Sequence, residues 1–152
     1  MPLTVGTHAP DFTLYDQDKH PVSLDDLRGQ NTLVVFIPFP FTGYCDNEGC
    51  QLRDGLAELE KLDAKVVIIT THAVPTNARW ASENGFEFPV LADYWPHGEV
   101  AQAYEAFNDT TGSANRVTYV LDAEGVIRDV IATDSLGTPR EYELYGEALS
   151  AL

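Results

Sequence analysis

The chain has 152 residues, 44% hydrophobic and 22% charged, a composition that predicts one globular domain over residues 1–152 and argues against a disordered or fibrous protein. Its 24 acidic and 9 basic residues give a net charge of −15, which would repel nucleic acids and anionic membranes, so neither is expected as a partner. No apolar run approaches the roughly 18 residues that a membrane-spanning helix needs.

The first segment, MPLTVGTHAPDF, lacks the basic and apolar regions of a secretory signal, and the sequence therefore predicts cytoplasmic residence. Cysteines usually stay reduced in that compartment, where they serve in catalysis or metal binding more often than in structural disulfides. The acidic composition has two interpretations. It is either an ordinary solvated surface or an adaptation to a cytoplasm of high salt concentration, in which counter-ions screen the repulsion.

The first half of the chain predicts strands that alternate with helices. The run NTLVVFI at residues 31–37 is typical of a buried strand. After a turn region, leucines at 52, 56, 59 and 62 form one apolar helical stripe. The run KVVIIT at 65–70 predicts a second buried strand, and a helix is predicted at 76–84, where it ends before a glycine.

The second half predicts a shorter helix at 99–107, a hairpin of strands at 117–121 and 126–131, and a closing helix at 141–152. A parallel strand pair followed by antiparallel strands is an α/β order. It outlines a thioredoxin-like fold, with a central mixed sheet flanked by helices. The carboxyl end of the first buried strand, where residues 38–45 follow, is then the expected position of a site.

Both cysteines of the chain lie at or just after this position. If a helix begins near Thr42 or Gly43, Cys45 lies in its first turn, and the Cα atoms of Cys45 and Cys50 are about 8.7 Å apart in ideal helix geometry. Because disulfides rarely form beyond about 7 Å, the intact helix disfavours a permanent bond between them. A transient disulfide needs this turn to unwind, and Gly49 lowers helix stability there by roughly 1 kcal/mol relative to alanine.

Other uses of the two thiols have less support. A structural zinc site needs a second pair of ligands, and the four histidines, at 8, 20, 72 and 97, are scattered. A C-x5-R phosphatase loop would need arginine where Gln51 stands, and Asp46 and Glu48 would repel a phosphate. Glycine-rich nucleotide-binding motifs and a C-x-x-C motif are absent. A reactive thiol at Cys45 remains, because a helix amino terminus stabilises a thiolate, and a buried inert thiol is its alternative.

Pro38, Thr42 and Cys45 form the motif P-x-x-x-T-x-x-C, which resembles the active-site signature of peroxiredoxins. The resemblance extends along nearly the whole chain, through APDF near the amino terminus, FPVLAD at 88–93 and an arginine, Arg116, before a predicted strand. It implies a thioredoxin-like fold and a thiol-dependent peroxidase that needs no metal or organic cofactor.

The resemblance implies a role for each matched residue. Cys45 would attack the peroxide as a thiolate and become sulfenic acid, while Arg116 would favour the thiolate and orient the peroxide. The Thr42 hydroxyl would bond to the thiolate and the peroxide, and Pro38 would shield the thiolate from water. Glu48 would hold Arg116 in place. The ordinary alternatives are a helix N-cap for Thr42, a turn residue for Pro38 and a solvated surface carboxylate for Glu48.

Two peroxiredoxin subgroups match different features of the chain. The segments TGYC, DYWPHG and NR, the last ending at Arg116, resemble the alkyl hydroperoxide reductase E group, whose members generally act with one cysteine. The C-x4-C spacing is instead that of the Q type, or bacterioferritin comigratory protein, in which the second cysteine resolves the first. We therefore expect Cys50 to form an intrachain disulfide with Cys45, and packing as a small buried residue is the alternative.

The resemblance also implies substrates and partners. We expect hydrogen peroxide and organic hydroperoxides as substrates and a thioredoxin-, glutaredoxin- or mycoredoxin-like dithiol as reductant, and relatives occur both as monomers and as homodimers. A thiol–disulfide oxidoreductase, a one-cysteine peroxiredoxin and a non-catalytic redox sensor would use the same Cys45. Four aromatic residues are candidates to line an apolar entrance suited to organic peroxides, and packing in the core is their alternative: Phe39, Phe41, Tyr44 and Trp80.

Overall fold

The computed structural model describes residues 2–152, which form nine strands and six helices. Within that range, no helix combines the length and the apolar character that crossing a membrane would require. The strands are β1 (Thr13–Tyr15), β2 (Pro21–Ser23), β3 (Asn31–Phe36), β4 (Ala64–Thr70), β5 (Val90–Ala92), β6 (Phe107–Asn108), β7 (Ser113–Ala114), β8 (Val117–Leu121) and β9 (Ile127–Ala132). The helices are α1 (Leu24–Leu27), α2 (Gly43–Asp54), α3 (Leu56–Lys61), α4 (Val74–Asn84), α5 (Glu99–Ala103) and α6 (Glu143–Ser150).

Seven strands form one mixed sheet in the order β2-β1-β5-β4-β3-β8-β9, and β6 pairs with β7 separately. β3 lies parallel to β4, and β4 lies parallel to β5, whereas β8 is antiparallel to both β3 and β9. The predicted parallel pair followed by an antiparallel hairpin is therefore confirmed. The turn from β3 into α2 lies at the carboxyl end of a central strand, where a site is expected.

Helices cover both faces of the sheet, which explains why the central strands are apolar without alternation. Leu33 and Val35 of β3 pack into one core with residues of α2, α3, α4 and α6. Val34 and Phe36, the alternate residues of the same strand, pack into a second core with residues of α1 and α5. All four side chains are fully buried, and burying each one contributes about 1.5–3 kcal/mol to the stability of the fold. β3 is therefore held rigidly, and it fixes the position at which α2 begins.

The leucine stripe belongs to two helices rather than one. α2 ends at Asp54 and α3 begins at Leu56, and Gly55 lies between them. A side chain at Gly55 would collide with the hydroxyl of Tyr142, which precedes α6. The Tyr142 ring thus occupies the space that a side chain at Gly55 would take, and the helix is interrupted there because glycine is a poor helix former.

Several predicted boundaries differ from the structure. The predicted helix at 99–107 is wrong in its second half, since α5 ends at Ala103 and residues 107–108 form β6. The closing helix is shorter than 141–152, since α6 spans Glu143–Ser150. The pattern does not predict β1, β2, α1, β5, β6 or β7, because elements of two to four residues are too short to establish a hydrophobic period.

Candidate active site

Cys45 lies in the first turn of α2, which begins directly after the loop that follows β3. Gly43 is the first helical residue and Thr42 the N-cap, so Cys45 is the third residue of the helix. The side chain is fully buried, and its Sγ accepts a hydrogen bond of 3.4 Å from the backbone N–H of Phe39. The thiol thus lies between the start of a helix and a backbone donor of the preceding loop, both of which stabilise negative charge on sulfur.

Thr42 and Pro38 belong to that loop. Thr42 occupies the N-cap position, but its side chain makes no capping bond to α2. Its hydroxyl instead donates to the carbonyl oxygen of Phe39, at 2.6 Å. Pro38 is buried two residues after the end of β3. The Thr42 bond therefore closes the loop on itself and holds Phe39, whose N–H faces the Cys45 sulfur.

Glu48 and Arg116 form a buried ion pair beneath the first turns of α2. Arg116 Nη1 donates to Glu48 Oε1 at 2.5 Å, and the two side chains are only 4% and 5% exposed. The Nε of Arg116 donates to the carbonyl oxygen of Leu136, at 2.7 Å. The alternative of a solvated surface carboxylate is therefore excluded for Glu48, and both ends of the Arg116 guanidinium are fixed.

A second arginine, Arg140, binds the same carboxylate. Its Nη2 donates to Glu48 Oε1 at 2.8 Å, and its Nε donates to Oε2 at 2.9 Å. The backbone N–H of Arg140 also donates to Oε2, at 3.0 Å, and its Nη1 donates to Thr118 Oγ1 at 3.2 Å. Glu48 is therefore a bridge between two buried guanidinium groups, one of them bound in a bidentate manner.

The charges of this cluster favour an anion beside Cys45. Burial by itself would raise the pKa of Glu48, but the hydrogen bonds and the charge of Arg140, with the charge of Arg116, hold that pKa below its ordinary value. Burial acts to lower the pKa of Arg140, but the combined effects of Tyr145, Glu48 and Cys45 raise it. Two guanidinium cations and one carboxylate leave a net positive charge in this cluster, and Cys45 is among the groups whose charge raises the pKa of Arg140.

The surface above this cluster is a pocket of about 800 Å³, lined by residues that include Phe39, Thr42, Tyr44 and Arg116. The guanidinium carbon of Arg116 lies 5.8 Å from the centre of the Tyr44 ring, a cation–π contact, and Tyr44 is 51% exposed. The suggestion that Trp80 lines the entrance is wrong, because Trp80 is fully buried and packs against Phe86.

Cys50 lies in the same helix as Cys45, in a different environment. It is partly buried, and its Sγ donates to Asn84 Oδ1 at 3.6 Å. Arg53 Nη1 donates to the carbonyl oxygen of Asn84, at 2.7 Å, which ties this part of α2 to the end of α4. Both cysteines are free thiols, and α2 is continuous between them. Since ideal helix geometry separates their Cα atoms by about 8.7 Å, the folded helix keeps the two sulfurs from bonding.

Comparisons with known proteins identify the family. The profile of the AhpC/TSA family matches residues 5–130. Over 151 residues the chain is 47% identical to alkyl hydroperoxide reductase E of Mycobacterium tuberculosis, an alignment that covers 99% of this chain and 98% of that protein. The chain belongs to the AhpC/TSA family.

The other comparisons describe this peroxiredoxin further. It is 33% identical over 135 residues to peroxiredoxin Bcp of Escherichia coli, which covers 85% of each chain. Its fold matches the crystal structure of Enterococcus faecalis AhpC with a TM-score of 0.89 and 25% identity, over 99% of this chain and 92% of that one. The predicted family and thioredoxin-like fold are thus confirmed, and the protein is a thiol-dependent peroxidase.

The sequence of this peroxiredoxin does not reveal Arg140 as part of the site. The residue lies 92 positions from Glu48 and in a turn segment, TPREYE, that is typical of a solvated surface. It nevertheless buries nearly its whole side chain, at 1% exposure, because Glu48 and Thr118 satisfy its donors. The local sequence carries no sign of that burial, since only the tertiary fold brings the buried carboxylate to Arg140.

Proposed function

We propose that this peroxiredoxin reduces hydrogen peroxide and organic hydroperoxides at Cys45, and that Cys50 then resolves the oxidised thiol. The observation that carries the proposal is the position of the Cys45 sulfur. It lies in the first turn of α2, against the Phe39 N–H and near a carboxylate-bridged pair of arginines. Such a position stabilises a thiolate, and the thiolate is the nucleophilic form of cysteine.

In the first step, the Cys45 thiolate attacks one peroxide oxygen and the O–O bond breaks. Cys45 becomes sulfenic acid, and the displaced oxygen takes up a proton and leaves as water or an alcohol. Arg116 orients the peroxide and stabilises the charge that develops on the leaving oxygen, and the Thr42 hydroxyl positions the attacked one. Glu48 and Arg140 act through Arg116, which they hold in place. Pro38, buried after β3, limits the access of water to the thiolate.

In the second step, the thiolate of Cys50 attacks the Cys45 sulfur and the S–O bond of the sulfenic acid breaks. The displaced hydroxide takes up a proton and leaves as water, and an intrachain disulfide forms. This step needs α2 to unwind between the two residues, because the folded helix keeps them apart. Gly49 stands immediately before Cys50 and packs so closely on the Phe86 ring that any side chain there would collide with it. A glycine at this position serves the packing of the folded helix and also reduces the free energy needed to unwind it.

The proposal also covers the substrates, the reductant, the cellular compartment and the oligomeric state. The half-exposed Tyr44 ring beside Arg116 offers an apolar wall for the organic part of a hydroperoxide, and the similar mycobacterial protein is named an alkyl hydroperoxide reductase. A thioredoxin-, glutaredoxin- or mycoredoxin-like dithiol reduces the disulfide. We further propose that residues 1–152 act as one domain in the cytoplasm, and that a homodimer is compatible with activity.

A Cys50→Ser variant tests the proposal. Wild type and variant are each mixed with one equivalent of peroxide and then analysed by intact mass and with a thioredoxin system. We expect an intrachain disulfide in the wild type, a stable sulfenic acid in the variant, and a loss of thioredoxin-dependent turnover. Unchanged turnover in the variant would mean that an external thiol resolves Cys45. One stoichiometric oxidation of the wild type without turnover would instead indicate a redox sensor.

A further inference from the structure

Asp46, the residue after Cys45, connects three parts of the active-site region. Its Oδ1 accepts a hydrogen bond of 3.0 Å from the backbone N–H of Phe41, in the loop before α2. The same oxygen accepts a bond of 2.7 Å from Nε1 of Trp80, on α4. The backbone N–H of Asp46 donates to the Thr42 carbonyl oxygen, at 2.8 Å, within the first turn of α2. One carboxylate therefore joins the loop, the first turn of α2 and α4.

The two donors to this carboxylate, the Phe41 N–H and the Trp80 Nε1–H, belong to residues whose conformation or position is constrained. The backbone of Phe41 has φ +68°, the left-handed conformation that residues other than glycine rarely adopt. Trp80 is fully buried, and its ring packs edge-on against Phe86 with 5.0 Å between the ring centres. A buried indole N–H without an acceptor is unfavourable, so Trp80 needs the Asp46 oxygen in place.

The negative charge of Asp46 does not favour the reaction at Cys45, so the role of Asp46 lies in its hydrogen bonds. A carboxylate next to Cys45 in the sequence opposes a thiolate there. Adjacent residues of a helix point in different directions, which reduces this effect. Asp46 is directed toward α4, whereas Cys45 packs into the core with Leu33 and Val35 of β3. Asp46 thus serves as a charge-assisted acceptor for two neutral donors rather than as a charge for the reaction.

We propose that Asp46 is a positioning residue that holds the first turn of α2 and thereby sets the balance between the two steps of the cycle. With the Asp46–Trp80 bond formed, the turn is helical and Cys45 is placed for the peroxide. Unwinding the turn moves Asp46 away and leaves the buried Trp80 N–H unpaired, which opposes disulfide formation. The second part of this inference rests on the proposed resolution by Cys50.

The inference predicts effects of opposite sign on the two steps. In Asp46→Ala, oxidation of Cys45 by peroxide is expected to slow by about tenfold, while formation of the disulfide from the sulfenic acid accelerates by about tenfold, the factors expected for one charge-assisted hydrogen bond. Asp46→Asn keeps an oxygen acceptor without the charge, and both rates should return to within about threefold of wild type. A merely structural role would lower thermal stability and slow both steps together.

Single-turnover stopped-flow oxidation, followed by rapid acid quench and intact mass, measures both steps in wild type, Asp46→Ala and Asp46→Asn. Trp80→Phe is the second variant, because it removes the α4 donor and leaves the Phe41 contact. It should accelerate disulfide formation with a smaller effect on peroxide oxidation. Equal changes of both rates in Asp46→Ala, or failure of Asp46→Asn to restore them, would overturn the inference. Absence of an intrachain disulfide in the wild type would reject resolution by Cys50 instead, and a tenfold slower peroxide step would still support positioning by Asp46.

Discussion

The two cysteines of this peroxiredoxin share one helix but occupy different chemical environments. Cys45 is fully buried at the start of α2, beside a backbone donor and the charge of Arg140. Cys50 lies deeper in the helix, partly exposed, with Asn84 as the acceptor of its thiol. A difference of five positions therefore decides which thiol lies at the helix amino terminus, where a thiolate is stabilised. The roles that we propose for Cys45 as nucleophile and Cys50 as resolving thiol rest on position in the helix more than on burial.

The largest expected effect separates the two thiols directly. Cys45→Ser should lower the rate of peroxide reduction by more than about a thousandfold, because the reacting sulfur is lost. Cys50→Ser should change the rate of the first oxidation by less than about threefold, because in the proposed mechanism Cys50 acts only after the O–O bond has broken. Stopped-flow oxidation with hydrogen peroxide measures both rates. A comparable loss of oxidation rate in the two variants would show that Cys45 and Cys50 do not act in separate steps.

The next effect concerns the buried charge cluster of Glu48, Arg116 and Arg140. Glu48→Gln leaves Arg116 and Arg140 buried without their shared carboxylate, and should lower the free energy of unfolding by roughly 3 kcal/mol. Peroxide oxidation should slow about tenfold as Arg116 loses its support. Glu58→Gln on α3, where the side chain is 75% exposed, is the matched control and should change stability by less than about 0.5 kcal/mol. Equal effects of the two substitutions would contradict this account of Glu48.

The same carboxylate predicts a pH dependence. The pKa of Glu48 is lower in the folded protein than its ordinary value of 4.5, so its ionised form stabilises the fold above that pH. This contribution is lost as the pH falls from 4.5 through the folded-state pKa. Denaturant unfolding of wild type and Glu48→Gln should therefore show a stability difference that is complete at neutral pH and shrinks in acid. A difference that stays constant through the acid range would argue against an ionised Glu48.

The smallest expected effect is at the rim of the pocket. Tyr44→Ala removes the ring that contacts Arg116 and should lower the rate with an organic hydroperoxide by about threefold, with less change for hydrogen peroxide. Tyr44→Phe keeps the ring face and should behave as wild type. The relevant measurement is the ratio of the rates with the organic hydroperoxide and with hydrogen peroxide. An unchanged ratio in Tyr44→Ala would show that Tyr44 does not discriminate between the two substrates.

The elements that the sequence predicts correctly are those with a strong local pattern. β3, β4 and the β8–β9 hairpin consist of apolar or β-branched runs, and the start of α2 follows from the turn residues before Cys45. The break at Gly55 is not predicted, because a single glycine within an apolar helical stripe does not by itself mark a helix end, and its contact with Tyr142 is distant in sequence. Arg140 and the Asp46–Trp80 bond are also long-range features, joining residues 92 and 34 positions apart. Local composition does not encode such contacts. The fold could therefore be predicted more fully than the long-range hydrogen bonds that hold the site residues in place.

The most direct test of the central claim is time-resolved intact mass of the reduced wild type after one equivalent of hydrogen peroxide. The account predicts a transient gain of one oxygen atom on Cys45, followed by a product lighter than the reduced chain by two hydrogen atoms, with Cys45 and Cys50 linked in peptide mapping. A sulfenic acid that persists on Cys45, or one found first on Cys50, would contradict it.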